Sequence, residues 1–264
     1  EPFFGSGAVL FMRPHRPKYE TINDKDGFIS NLFRAIKYNP EAVAEHIDWP
    51  INENDLYARN KYLISKKESL REQVEADPEY YDAKIAGWWI WGRCLWIGDD
   101  FCLHAFRGRP RLRKSGLLCA QSPIEILRLY QHRLINVRVI SGCWNRICGN
   151  TPTIHTASPI GIFFDPPYSS RDRHVHYIQD DFNVAKNARD WAIEKGADSR
   201  FRIAFCGYDG EFETPWPEGW LEFKWKTKGG YANRSNKQGK LNKERERIWF
   251  SPYCIKPEEK LFEP

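Results

Sequence analysis

The order of strand and helix signals along the chain constrains its fold more than any single residue does. Glu1 to Leu10 reads as a strand end, a glycine-containing turn and a helix start. Tyr19 to Asp24 reads as a short strand ending in Asn23-Asp24. From Phe28 to Tyr38 the apolar residues Phe28, Ile29, Leu32, Phe33 and Ile36 recur at helical spacing. Strand, turn, helix, strand, helix is the signature of a parallel α/β sheet. The alternation then breaks. Pro40 to about Leu134 reads as mostly helical, charged and rich in Trp, with one irregular stretch from Arg107 to Gly116. Strand signals return at Val137 to Ile140 and at Gly161 to Phe164, followed by a helix over Phe182 to Lys195 and a strand over Phe201 to Phe205. Trp220 to Trp225 and Arg247 to Phe250 read as an antiparallel hairpin at the sheet edge, with Lys226 to Glu244 as its long loop. The chain therefore reads as an α/β domain formed by residues 1–39 and 136–264, interrupted by a helical insertion over 40–135.

Composition narrows the classes. A chain of 264 residues with 41% hydrophobic residues can bury a sizeable core. Its seven Cys are odd in number and never spaced as Cys-x-x-Cys, which argues against a disulfide scaffold and for a reducing cytoplasm. No apolar run approaches the ~20 residues that a membrane helix needs, and no signal peptide is recognisable. The cluster of Trp88, Trp89, Trp91 and Trp96 reads as packing within the insertion. His132, Cys143, Cys148 and His155 fit no common zinc spacing, so no metal is expected. His174 and His176 read as rim residues.

The sharpest chemical signal is Asp165-Pro166-Pro167-Tyr168, directly after the apolar run Gly161-Ile162-Phe163-Phe164. Open α/β sheets bind ligands beyond the carboxyl ends of their strands. There a carboxylate, two φ-locked prolines and an aromatic ring form a small fixed set of groups. Carbonyls beside proline nitrogens are free to accept from an amino group, and Tyr168 can stack on a flat base. The competing reading is a strand-terminating turn with an incidental Tyr. The second signal is Glu1-Pro2-Phe3-Phe4-Gly5-Ser6-Gly7-Ala8. Gly5 and Gly7 let backbone approach a ligand closely. Leu10 occupies the place of the third glycine in a dinucleotide fingerprint, which disfavours that use. Asp24 ends the second strand where an acidic residue can bind ribose hydroxyls. Asp24 or Asp26 could equally cap the helix that follows.

Together these motifs resemble the Dam-type, or α-group, DNA adenine methyltransferases, over nearly the whole chain. The resemblance implies a Rossmann-like methyltransferase fold: a seven-stranded, mostly parallel sheet with an antiparallel C-terminal edge hairpin and a helical insertion. It implies S-adenosylmethionine as methyl donor, held by Pro2, Phe3, Gly5, Gly7, Asp24 and Asp165. The third-strand position falls at Cys143 and Trp144, with Cys143 where the family tends to carry an acidic residue. Asp165, Pro166, Pro167 and Tyr168 match the catalytic motif, and Arg245 to Pro252 resembles the sheet-closing strand. The family's leading Gly-Gly-Lys segment is absent, so the sequence is expected to lack its natural N-terminal part.

Such a reaction requires the target adenine to be flipped out of the duplex, because its amino group is inaccessible in the stack. Duplex DNA is the expected partner. Arg107, Arg109, Arg111, Arg113 and Lys114 form one acid-free basic stretch. Lys226, Lys228, Arg234, Lys237 and Lys240 lie in the hairpin loop. Both stretches are assigned to DNA contact, against the default of a solvated charged surface. A cytoplasmic enzyme associated with the nucleoid through DNA is expected, with a monomer slightly favoured over an oligomer. A restriction partner, an orphan role and phage self-protection all stay open. Rival readings are a methyltransferase acting on RNA or a protein amide, and a catalytically impaired DNA-binding relative of the same fold.

Overall fold

A computed structural model of the chain describes residues 1–5, 7–25, 27–47, 50–96, 101–102, 105, 107, 109–111, 117, 122–149, 154, 158–167, 183–224 and 245–255. It is a mixed α/β structure with parallel strands, divided into two compact units. One unit is Phe4–Trp144, and the other is Glu1–Phe3 together with Asn145–Pro264.

The unit Phe4–Trp144 runs α1 (Ala8–Met12), β1 (Glu20–Asp24), α2 (Gly27–Tyr38), α3 (Pro40–Ala44), α4 (Glu53–Ala76), α5 (Ala83–Leu95), α6 (Pro123–Arg133) and β2 (Val137–Ser141). β1 and β2 pair in parallel, from Glu20 opposite Val137 to Asp24 opposite Ser141. Parallel pairing needs a long crossover, and α2 to α6 supply it. All five residues that set the periodicity of α2 are buried. Leu56, Leu63, Leu70 and Val74 form the buried stripe of α4. Both α4 and α5 start on a fitting residue. Asn52 accepts from the amides of Asn54 and Asp55, and Asp82 accepts from that of Ile85, satisfying donors that a first helical turn leaves open. Phe28 stacks against Trp89 at 6.3 Å, so α2 shares one core with the inserted helices. Among the described residues, α2 and the helices of the insertion read from the sequence share that core. The α/β opening and the helical run form one compact body.

In the other unit follow α7 (Asn145–Cys148), β3 (Ile160–Phe164), α8 (Val184–Gly196), β4 (Phe201–Tyr208), β5 (Leu221–Lys224) and β6 (Glu246–Phe250). The strand order is β3-β4-β6-β5. β3 and β4 are parallel, with Phe164 opposite Phe205. β6 pairs antiparallel with both β4 and β5. The expected edge hairpin is present as β5 and β6, with Leu221 opposite Phe250, while the loop between them lies outside the described residues. Ala185, Ala188 and Ala192 give α8 a small buried face. Trp216 stacks on Trp249 at 4.9 Å, anchoring the β4–β5 connection to the hairpin. Six strands in two sheets are seen among the described residues.

Candidate active site

The glycine turn is held by the end of β1, which is itself tied to the residue after β2. The Phe4 amide donates to the Asn23 carbonyl at 3.0 Å. The Gly5 amide donates to Asp24 Oδ2 at 2.8 Å. The Gly142 amide donates to the Asp24 carbonyl at 3.1 Å, and Asn23 Nδ2 donates to the Gly142 carbonyl at 3.0 Å. Three segments distant in sequence thus meet at the carboxyl ends of β1 and β2. Gly5 has φ +54° and Gly7 φ +71°, conformations that a side chain would strain. Space is a second constraint at Gly7 alone, where a Cβ would strike the rings of Phe4 and Phe11. Gly5 is exposed and open, leaving its backbone approachable.

Asp24 therefore has a role that neither sequence reading contained. Its carboxylate fixes the turn by bonding Gly5, nineteen residues earlier. Of the residues placed at the third strand, Cys143 is exposed and Trp144 is buried. Pro2 is buried and Phe3 half-buried. Both belong to the other unit, where the Phe3 ring lies 6.2 Å from that of Phe164.

Asp165 follows β3 directly, at its carboxyl end. Its platform is aromatic. Phe164 is fully buried, with Trp191 and Phe205 each 5.7 Å away. Asp165 is exposed on that platform, with Pro166 buried behind it and Pro167 half-buried. Tyr168 lies outside the described residues, as do His155, His174 and His176. Next to Phe205 in β4, burial pushes the Cys206 thiol up, and the Asp165 and Glu246 carboxylates push it further in the same direction. Cys206 is thus a protonated thiol at neutral pH and a poor nucleophile. Burial likewise pushes the Cys148 thiol up to about 12. Among the described residues no group of three or more His, Cys, Asp or Glu is placed to hold a metal. None of the described helices is long and apolar enough to cross a membrane.

The basic stretch is only partly described. Arg107 donates to Glu53 Oε1 at 3.2 Å and to Asn54 Oδ1 at 2.8 Å, so its guanidinium is engaged at the start of α4. Arg109 and Arg111 are exposed, without an ion pair among the described residues. Arg113 and Lys114 lie outside the described residues, as do Lys226, Lys228, Arg234, Lys237 and Lys240.

Sequence reasoning missed the buried charges that brace these sites. Arg133 donates to both Glu20 oxygens, at 2.6 and 2.7 Å, and to the Leu10 carbonyl at 3.1 Å, tying α6 to β1 and α1. Arg247 bridges Asp209 and Glu222, at 2.7 and 2.9 Å, where β4 ends and the hairpin begins. Arg189 lies between the Phe212 and Trp216 rings and donates to the carbonyls of Thr214 and Pro215. Each partner is remote in sequence, and no local pattern marks such pairs.

The glycine turn at one parallel strand pair and the exposed carboxylate after another both stand at strand carboxyl ends, where open α/β sheets bind ligands. Residues 1–86 match the family model for D12 class N6 adenine-specific DNA methyltransferases. The match spans the glycine turn, Asp24 and the chain as far as the start of α5, and it ends before Asp165. No curated protein matches the chain.

Proposed function

We propose that this protein is a site-specific methyltransferase that modifies the N6 amino group of adenine in duplex DNA, of the Dam-type α group, with a Rossmann-like catalytic fold. Residues 1–39 and 136–264 serve the cofactor and the chemistry, and residues 40–135 recognise the target. The observation that carries the reading is Asp165, exposed on a buried aromatic platform at the carboxyl end of a parallel strand and followed by Pro166 and Pro167.

The residues of the turn fit S-adenosylmethionine. Gly5 leaves open backbone, and Asp24 supplies a carboxylate at a strand end, the place where ribose hydroxyls are bound in such sheets. Pro2, Phe3, Gly7, Cys143 and Trp144 complete the proposed cofactor set. When bound, S-adenosylmethionine supplies an electrophilic methyl group. The protein's work is to position the nucleophile. The flipped adenine stacks on Tyr168. Its amino group donates to the Asp165 carboxylate and to the Pro166 carbonyl. These bonds draw the nitrogen toward tetrahedral geometry and localise its lone pair. The arrangement is electrostatic, and the protonated Cys206 has no nucleophilic part in it.

The test is sequencing that detects modified adenines in DNA from cells expressing the gene. Methylated adenines at one recurring sequence are expected with the wild-type protein and none with Asp165→Ala. A wild-type signal from that variant removes Asp165 from the chemistry, and no modified adenine with the wild type overturns the reading.

A further inference from the structure

Six side chains of α4 and α5 form a ladder of cations and rings. On α4, Arg59, Tyr62 and Lys66 lie at i, i+3 and i+7, on one face. On α5, Lys84, Trp88 and Trp91 lie at i, i+4 and i+7, again on one face. Lys66 Nζ sits 5.7 Å from the Tyr62 ring centre, and Lys84 Nζ sits 5.2 Å from the same ring. Lys84 also lies 4.5 Å from Trp88, whose ring Arg59 approaches at 5.2 Å. Arg59 continues to Trp91 at 4.2 Å. Tyr62 and Trp88 meet edge to face at 5.3 Å.

The face keeps its charge. From Leu56 to Lys67, α4 carries Arg59, Lys61, Lys66 and Lys67 and no acidic residue; the flanking carboxylates are Glu53 and Asp55 before this stretch and Glu68, Glu72 and Glu75 after it. α5 carries Lys84 and Arg93 and no acidic residue. The nearby Asp82 carboxylate accepts the Ile85 amide as the cap of α5. Lys66 and Lys84 are exposed, and neither has a carboxylate partner among the described residues. A ring holds an ammonium group in place while leaving its charge available, whereas a carboxylate would neutralise it. Ordinary solvated lysines are neither held nor aligned in this way.

We propose that this α4–α5 face binds the phosphate backbone of duplex DNA, with Lys66 and Lys84 meeting the phosphates. Lys66 and Lys84 offer held cations with no carboxylate partner among the described residues, which a polyanion of regular charge spacing complements. Trp88 has cations against it and serves to position them. The inference rests on the DNA methyltransferase reading for its partner, and it names a surface outside both basic stretches read from the sequence.

The experiment measures binding of the full chain to a short fluorescein-labelled duplex of scrambled sequence across a salt series. No methyl transfer is involved, so failure of the methylation assay and failure of this inference are separable. Lys66→Gln with Lys84→Gln should flatten the slope of log affinity against log salt by about 0.9 for each phosphate no longer neutralised. Lys66→Arg with Lys84→Arg should retain the wild-type slope. Both pairs should keep the wild-type melting temperature, because the substituted side chains are exposed. An unchanged slope in the Gln pair overturns the proposal, as does an effect confined to a single-stranded RNA probe. Absence of duplex binding by the wild-type chain also overturns it.

Discussion

The glycine turn and the Asp165 motif are built on opposite plans. The turn is tied by two hydrogen bonds to the end of β1, which two more bonds tie to Gly142 after β2, and the Asp24 carboxylate is spent on the backbone. Asp165 is exposed, and buried rings lie against the residue before it. A backbone cradle needs each φ angle fixed, because a ligand would be held by main-chain groups at defined positions. A carboxylate that must meet an incoming amino group needs an open face and a rigid base. Disturbing the first should therefore cost stability and affinity together. Disturbing the second should cost rate alone.

The largest expected effect tests the first half of that contrast. Glu20 receives both Arg133 and Arg13 and is itself buried. Glu20→Ala removes the carboxylate from a buried pair and should destabilise the chain by about 3–5 kcal/mol. Chemical denaturation measures it. A loss below about 1 kcal/mol would mean that the brace contributes no more than a surface pair.

Asp165→Ala tests the second half. Losing a hydrogen bond needed in the transition state should lower turnover by about 10²-fold or more, ~3 kcal/mol, with the melting temperature and duplex binding unchanged. A fall in melting temperature comparable to that of Glu20→Ala would break the comparison, because Asp165 would then be structural.

Much of this plan is legible in the sequence. Gly27–Tyr38 and Ile160–Phe164 can be placed because their apolar residues repeat at the period of one element. The hairpin follows from two apolar runs of similar length. The turn is legible as a motif because only glycine adopts its φ angles cheaply. The role of Asp24 is not legible, since its partner lies in another segment and only folding brings the two together. The same holds for Arg133 with Glu20. The extent of the compact unit is hidden for a related reason. Composition changes at Pro40, yet the apolar face of α2 is buried against the helices that follow it. The Trp cluster is half legible. Trp89, Trp91 and Trp96 are buried as packing requires, while Trp88 is half-buried and carries cations.

A smaller effect separates the two roles of Asp24. Asp24→Ala should lose about 1 kcal/mol of stability with the Gly5 bond. It should also raise the Michaelis constant for S-adenosylmethionine with little change in maximal turnover, since a ribose contact is equal in ground and transition states. Asp24→Asn keeps an acceptor for the Gly5 amide. If Asn restores stability but not cofactor affinity, the carboxylate has both roles. If both measures move together in every variant, Asp24 acts on the cofactor only through the turn.

The smallest effect concerns the thiols, and it sharpens the claim that Cys206 does not act as a nucleophile. Cys206 is buried, its thiol is pushed up by burial and by two carboxylates, and Cys148 is pushed up to about 12. A raised thiol pKa favours the protonated native state. This stability is complete below the ordinary thiol value of 9.0 and is lost as pH rises through the folded value of about 12 for Cys148. At pH 8 the native thiolate fraction of Cys148 is then on the order of 10⁻⁴. Iodoacetamide at pH 8 should modify the exposed Cys143 well before Cys148 or Cys206, as peptide mass mapping over time would record. Cys206→Ala should cost about 1 kcal/mol of packing and leave turnover within a few-fold of wild type. Rapid alkylation of Cys206 with parallel loss of methyl transfer would place a reactive thiolate beside Asp165, and the positioning mechanism would then have to give way to a covalent one.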